Sequence, residues 1–262
     1  MNYSWLLRIT WIVLTLLLPA TAAIAQQLPT REQLWQQDLQ RQILASELTE
    51  LSAGNNNFLV LQREALTSFT KGTAILVPDW AEHPASPDYM NPLRQQLNEF
   101  GWHTLAIMAP PPADFNLEQN ATDYQQQLAE YMVAAIRQSE LQSGNIIVIA
   151  KGSNAALLNR LYASEQLVPP AAFIMLGAYL ADVQLNRELA SHIAEQSTPT
   201  LDISHQRDNR FANANLRLRQ QLVNRNLKSQ YRQRQLTGTF YQEDIHAWVL
   251  KEITGWLHSI GL

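Results

Sequence analysis

"NIIVIAKGSNAALLNRLY", residues 145–162, decides the fold. Asn145 to Ala150 is a short, nearly continuous apolar run, the pattern of a strand buried on both faces, and the residues from Ser153 onward carry apolar side chains at helical spacing. Lys151 and Gly152 lie between the two, so the strand passes into the helix through a sharp turn that contains a glycine. A buried strand feeding straight into a helix is half of the crossover unit from which parallel sheets are built. The same stretch raises the functional question, because a serine beside such a turn is a candidate nucleophile.

Outward from this unit the alternation repeats. Strands are expected at "TAILV" from Thr73, "HTLAIMA" from His103, "NIIVIA" from Asn145, "AAFIML" from Ala171, "TPTLDIS" from Thr198 and "YRQRQLTG" from Tyr231. Helices are expected near 91–100, 123–139, 155–162, 213–223 and 248–260. This order predicts an α/β protein with a mostly parallel central sheet covered by helices on both faces, and it places any chemistry at the carboxyl ends of the strands. Little chain separates the strands ending at Leu176 and Ser204, so a lid is minimal or missing.

The N-terminal part reads differently. Arg8, an apolar run from Ile9 to Leu18, Pro19 and then Ala23-Ile24-Ala25 form the layout of a secretory signal cut before Gln26; the alternative is an uncleaved anchor. The Gln-rich stretch that follows has Leu34, Leu39, Ile43, Leu48 and Leu51 near helical spacing, which predicts one amphipathic helix, packed on the body or used as a docking arm. "AGNNNF" is a turn and "FLVLQREA", from Phe58, a strand. The expected division is a signal peptide over 1–25, a Gln-rich helical segment over 26–54 and an α/β domain over 55–262.

With 262 residues and 46% apolar content the chain can bury a full-sized core. It has no cysteine, which excludes disulfides, thiolate metal sites and a cysteine nucleophile. Export without disulfides fits a bacterial periplasm, with contact to the membrane only through the transient signal. Loss of Arg8 with the signal takes the formal charge from −4 to −5, which offers no overall attraction to nucleic acid. The six histidines are scattered and no phosphate-cradling glycine loop is present, so neither a metal nor a cofactor is implied.

The segments "GTAILVPDWAEHP", "GWHTLAIMAPP", "IAKGSNAA", "SHQRD" and "EDIHAWVLKEITGWL" together resemble an α/β-hydrolase from Thr73 to the end. More particularly the chain resembles DUF3530, a domain-of-unknown-function family of exported α/β-hydrolase-like proteins from Gram-negative bacteria. In that family a glycine often stands where the nucleophile is expected, and no activity comes with the resemblance. The resemblance implies an orienting acid at Asp208, at the end of "SHQRD", and a base at His246, in a loop before the last helix. A triad needs that pair, because the carboxylate fixes the imidazole tautomer and the imidazole takes the nucleophile's proton. Each residue is otherwise readable as a helix cap.

The frame of the turn decides what stands opposite them. Small residues are needed two positions either side of a nucleophile elbow, where strand and helix backbones nearly touch. With Ser153 at the apex, Lys151 takes the minus-two place and clashes; with Gly152 at the apex, Ala150 takes it. The second frame leaves an elbow with no attacking side chain, Ser153 opening the helix and offering its N–H as an oxyanion donor. The first makes Ser153, His246 and Asp208 a serine ester or peptide hydrolase. The second oxyanion donor falls to Trp80, preceded by Asp79, whose negative charge opposes the stabilisation of an oxyanion.

From Arg207 to Arg234 the chain is basic, and Arg217, Arg219 and Arg225 are the candidates for binding an anionic envelope component; the plain alternative is a solvated helix face. The reading is an exported α/β-hydrolase-like protein with a degenerate, nucleophile-less site that binds a small molecule or an envelope component. The alternative is an active hydrolase using Ser153, His246 and Asp208.

Overall fold

Eight strands form one sheet in the order β1-β2-β4-β3-β5-β6-β7-β8. The computed structural model describes residues 29–54, 56–111, 118–238 and 243–262, and the expected signal sequence falls outside them. Residues 31–262 form one compact unit. In chain order its elements are α1 (Arg31–Gln42), β1 (Leu48–Ala53), β2 (Asn56–Arg63), β3 (Gly72–Val77), α2 (Met90–Gln96), β4 (Trp102–Ile107), α3 (Glu118–Ser139), β5 (Asn145–Lys151), α4 (Gly152–Ala163), β6 (Ala172–Leu176), α5 (Val183–Glu195), β7 (Thr200–His205), α6 (Arg210–Ala214), α7 (Leu216–Arg225), β8 (Tyr231–Leu236) and α8 (Glu243–Ser259).

The β1-β2 hairpin and the β2-β4 pair are antiparallel, and every other pairing is parallel. The central strands β3, β5 and β6 are almost wholly buried because helices cover both faces, which is why they read as unbroken apolar runs. Alternate residues serve the two layers. Ile75, Val148 and Phe173 face α3, α4 and α5, whereas Ala74, Ile147 and Ile174 face α1, α2 and α8. Strand β8 ends the sheet with the polar sequence "YRQRQL", and such charged edges deter pairing with another chain.

Three expectations are corrected. The Gln-rich segment is not one helix: α1 stops at Gln42, and Leu48 to Ala53 form the edge strand β1, turned back on β2 by Gly54 at φ +58°. Its helix-like leucine spacing was an accident of two elements laid end to end, and only Leu39 of α1 is buried. Residues 183–195 form a helix where none was expected, capped by Asp182, whose carboxylate accepts the Leu185 N–H at 2.8 Å. It is a crossover helix, with Leu189 and Ile193 in the core, so it adds no lid. The last helix begins at Glu243, which puts His246 inside its first turn and not in a preceding loop.

The end of α7 leads into a partly buried amine. Lys228 Nζ donates to the Ile193 carbonyl at 2.9 Å and to Thr200 Oγ1 at 3.0 Å, with no carboxylate among these partners, and burial lowers its pKa from 10.5 to about 7. The folded state therefore holds fewer protons than the unfolded state between these values, so stability rises as pH climbs from about 7 toward 10.5 and is lost as pH falls through the folded value. Lys228→Met removes this dependence; the urea midpoint of the natural protein relative to that of the variant, followed across that range, should rise with pH.

Candidate active site at the strand-to-helix turn

Strand β5 keeps extended backbone angles as far as Lys151, at φ −116° and ψ 148°, and the next residue, Gly152, turns to φ +59° and opens α4. That left-handed conformation suits a glycine, since a side chain there is strained. The carbonyl of Gly152 accepts the Tyr179 N–H from the loop after β6 at 3.3 Å. Ser153 is therefore the second residue of the helix.

The loop after β3 crosses directly over this turn. Asn154, fully buried in α4, donates to the Pro78 carbonyl at 2.8 Å and accepts from Tyr124 Oη of α3 at 2.9 Å. On the outer side Arg31 of α1 donates to the Trp80 carbonyl at 3.0 Å and lies over the rings of Trp35 and Trp80, at 4.5 and 5.6 Å. The loop is thus clamped from within and from without.

Held there, Asp79 projects its carboxylate into the turn. Its Oδ1 accepts the backbone N–H of Trp80 and that of Ser153, each at 2.9 Å, and also the Ser153 hydroxyl. Tyr179 Oη lies 3.5 Å from Oδ2, and burial, with the nearby Asp79 charge, pushes its phenol up to about 12. A Cβ placed on Gly152 would stand 2.3 Å from Asp79 Cγ and 2.4 Å from Oδ2. No real Cβ tolerates such an approach. The space of the missing side chain is filled by a carboxylate from the loop after β3, and the two N–H groups expected to face an oxyanion both point at it.

A second glycine makes room in the same way. Gly177, at φ +57° after β6, has no Cβ, and one placed there would lie 2.8 Å from Asp208 Oδ2. That oxygen accepts the His205 N–H at 2.6 Å. Burial raises the Asp208 pKa, with the His205 hydrogen bond and then the charges of His205 and Lys151 pulling the other way.

The three residues of the alternative triad do not share hydrogen bonds. Ser153 gives its hydroxyl to Asp79, Asp208 is occupied by the His205 N–H, and His246 meets the ring of Tyr89 edge-on at 5.7 Å with its Nε2 buried and unbonded. Tyr89 borders both Asp208 and His246, and burial, followed by the Asp208 charge, holds its phenol above the usual range.

Lys151 was singled out in the sequence only as a clash, yet it has a defined place. Its ammonium pairs with Glu82 and with Asp88, the latter at 3.0 Å, and lies 5.5 Å from the Tyr89 ring centroid. Burial alone lowers a lysine, but these two carboxylates outweigh it and hold the ammonium above its ordinary value. Glu82 moves up as well, because its own burial outweighs Lys151. Among the described residues no three histidine, aspartate or glutamate side chains gather as a metal site requires.

The basic segment is corrected at Arg219. It is fully buried: one guanidinium nitrogen is 3.1 Å from each oxygen of Asp202, also fully buried, and the other donates to the Ala178 carbonyl at 2.7 Å. A side chain so committed is unavailable to a partner. Arg217 and Arg225 are exposed on α7.

Solved structures share this architecture at low identity. Est1E from Butyrivibrio proteoclasticus with ferulic acid bound gives a TM-score of 0.62 at 10% identity, covering 80% of this chain and 98% of that one. Dienelactone hydrolase from Anabaena variabilis gives 0.57 at 14%, covering 81% and 96%, and a soluble variant of monoglyceride lipase from Saccharomyces cerevisiae gives 0.58 at 8%, covering 80% and 94%. Identities this low speak for the α/β-hydrolase fold alone. No curated protein matches the sequence. A family model described as "Protein of unknown function (DUF3530)" matches residues 17–123 and 112–259, and the chain belongs to that family.

Proposed function

We propose that this chain is a non-hydrolytic member of the α/β-hydrolase fold, a binding protein of the bacterial envelope whose elbow carries Gly152 in place of a nucleophile. One observation carries the reading: Asp79 Oδ1 takes both the Trp80 and the Ser153 N–H groups at 2.9 Å. In an acyl-transfer enzyme those donors stabilise negative charge that develops in the transition state, a contribution of about 3–4 kcal/mol for a single donor. Donors already bound to a carboxylate supply none of it, and the carboxylate repels the incoming charge. His246 and Asp208 then stand as a base and an acid with nothing to activate.

Export rests on the signal layout ending at Ala25, and a mature N-terminus at Gln26 is its direct test. For an anionic envelope component, Arg217 and Arg225 are the exposed part of the basic face; such binding should weaken steeply as salt rises, because screening acts over about 8–10 Å at physiological ionic strength.

The catalytic half of the proposal is tested with p-nitrophenyl acetate. The purified protein should release p-nitrophenol no faster than its Ser153→Ala variant. Turnover that disappears in both Ser153→Ala and His246→Ala would establish the serine hydrolase instead.

A further inference from the structure

Between α5 and the α6–α7 pair lies an open groove of about 420 Å³. Its apolar walls are Val183 of α5, Phe211 and Ala214 of α6 and Leu218 of α7, and its one charged lining residue is Arg187. We infer that this groove binds a single-chain anionic amphiphile of the fatty-acid kind, the chain along the apolar walls and the carboxylate at Arg187. The inference rests on the proposed reading of an anion-binding envelope protein, whose ligand class it names, and it is independent of the proposed loss of hydrolysis.

The groove is apolar because its amides are committed inside the protein. Asn186, fully buried, accepts the Leu180 N–H at 3.0 Å and donates to the Phe211 carbonyl at 2.8 Å, and Asn215 donates to the Asn186 carbonyl at 3.2 Å. These bonds tie α5 to α6 and α7, so the two sides of the groove are held together without a ligand. What they leave open is hydrocarbon, with Val183 67% exposed on one wall. An exposed apolar surface with a polar rim marks a binding groove, and the volume falls within the range of about 300–1,000 Å³ found for small-molecule sites.

Charge selects the head of the ligand. No carboxylate lines the groove among the described residues. Arg187 is exposed and has no ion pair among the described residues, and the Arg210 guanidinium lies 4.9 Å from the ring centroid of Phe211, which sets a second cation against the wall. Glu188 and Asp182, the acids nearest Arg187 in the chain, accept the Gln184 amide at 3.0 Å and the Leu185 N–H at 2.8 Å. An apolar trough whose own charge is positive suits a hydrocarbon chain with a negative head and opposes a cationic one. A guanidinium also offers a carboxylate two parallel donors.

Titration of the intact protein with laurate below its micelle-forming concentration, followed by NMR, tests the inference. Laurate should bind with a Kd of about 1 mM or tighter, and octanoate at least about tenfold more weakly, because four methylene groups are lost from the apolar contact. Val183→Asp, at an exposed first helical position where an acid is tolerated, should weaken laurate at least about tenfold with Tm unchanged. Arg187→Gln should weaken laurate at least about fivefold while uncharged 1-decanol loses no more than about twofold. The inference is overturned by the absence of laurate binding at about 10 mM, by equal binding of octanoate or of dodecyltrimethylammonium, or by undiminished binding to Val183→Asp. Vesicles of phosphatidylglycerol and phosphatidylcholine separate this failure from that of the wider reading. Vesicle binding lost in Arg217→Gln with Arg225→Gln, in a protein that ignores laurate, overturns the groove and keeps the basic face; binding of neither overturns both.

Discussion

Gly152→Ser should destabilise the protein by about 3–5 kcal/mol, and adding Asp79→Gly to it should cost little more. The first figure combines a left-handed backbone, which costs about 1–2 kcal/mol for a residue with a Cβ, with displacement of a carboxylate that now accepts three hydrogen bonds. Asp79→Gly alone should cost about 1–3 kcal/mol, because it leaves the Trp80 and Ser153 N–H groups without their acceptor. In the double variant the serine side chain has the space that Asp79 vacates. The two losses should therefore fall short of additivity by about 2 kcal/mol, within the range of residues in direct contact. Urea unfolding of the four proteins gives the number, and strictly additive losses would mean that the two side chains do not compete for one place.

The second large effect lies beneath the basic helix. Asp202→Ala should cost about 3–5 kcal/mol, because it strands the guanidinium of Arg219 in a site from which water is excluded. The carboxylate also accepts from Tyr231 Oη at 2.9 Å and from Gln233 Nε2 at 3.3 Å, so its loss loosens β8 as well as α7. Replacing both charges, as Asp202→Leu with Arg219→Met, should be less harmful than Asp202→Ala alone, since no unpaired charge remains. A double variant at least as unstable as the single one would show that hydrogen bonds to β8, and not the stranded charge, dominate.

The parallel part of the fold was legible because its strands are buried on both faces and announce themselves as apolar runs, as in "TAILV" and "NIIVIA". What misled was periodicity carried across a boundary. Leu39 belongs to α1, Ile43 to the bend after it and Leu48 and Leu51 to β1, and no glycine or proline stands between them to mark the change. Helix α5 carries a readable start in Asp182 and a buried set at Asn186, Leu189, Ala190 and Ile193 at helical spacing.

At the site, the frame argument about Lys151 and Ala150 pointed to the glycine, and Gly152 has the left-handed angle of the turn. The destination of the Asp79 carboxylate was not legible. A loop residue's side chain is placed by contacts far off in sequence, here Asn154, Tyr124 and Arg31, and nothing local to Pro78-Asp79-Trp80 foretells them. Gly177 carries a faint signal of the same kind, a glycine directly after a buried strand, and its meaning becomes plain only with Asp208 beside it. Arg219 was misplaced for the converse reason: a run of arginines reads as a solvated face, and its buried partner, Asp202, is on a different element.

Exposure of the unmodified protein to a fluorophosphonate probe, with the adduct located by mass spectrometry, tests the central claim most directly. A side chain can be phosphonylated here only if it has a nucleophilic oxygen, a base to take its proton and free donors for the oxyanion; Gly152 has no side chain, and the Trp80 and Ser153 N–H groups are both bonded to Asp79. The account predicts that the protein stays unlabelled under conditions that label an active serine hydrolase to completion. An adduct on Ser153 that is lost in His246→Ala would contradict it.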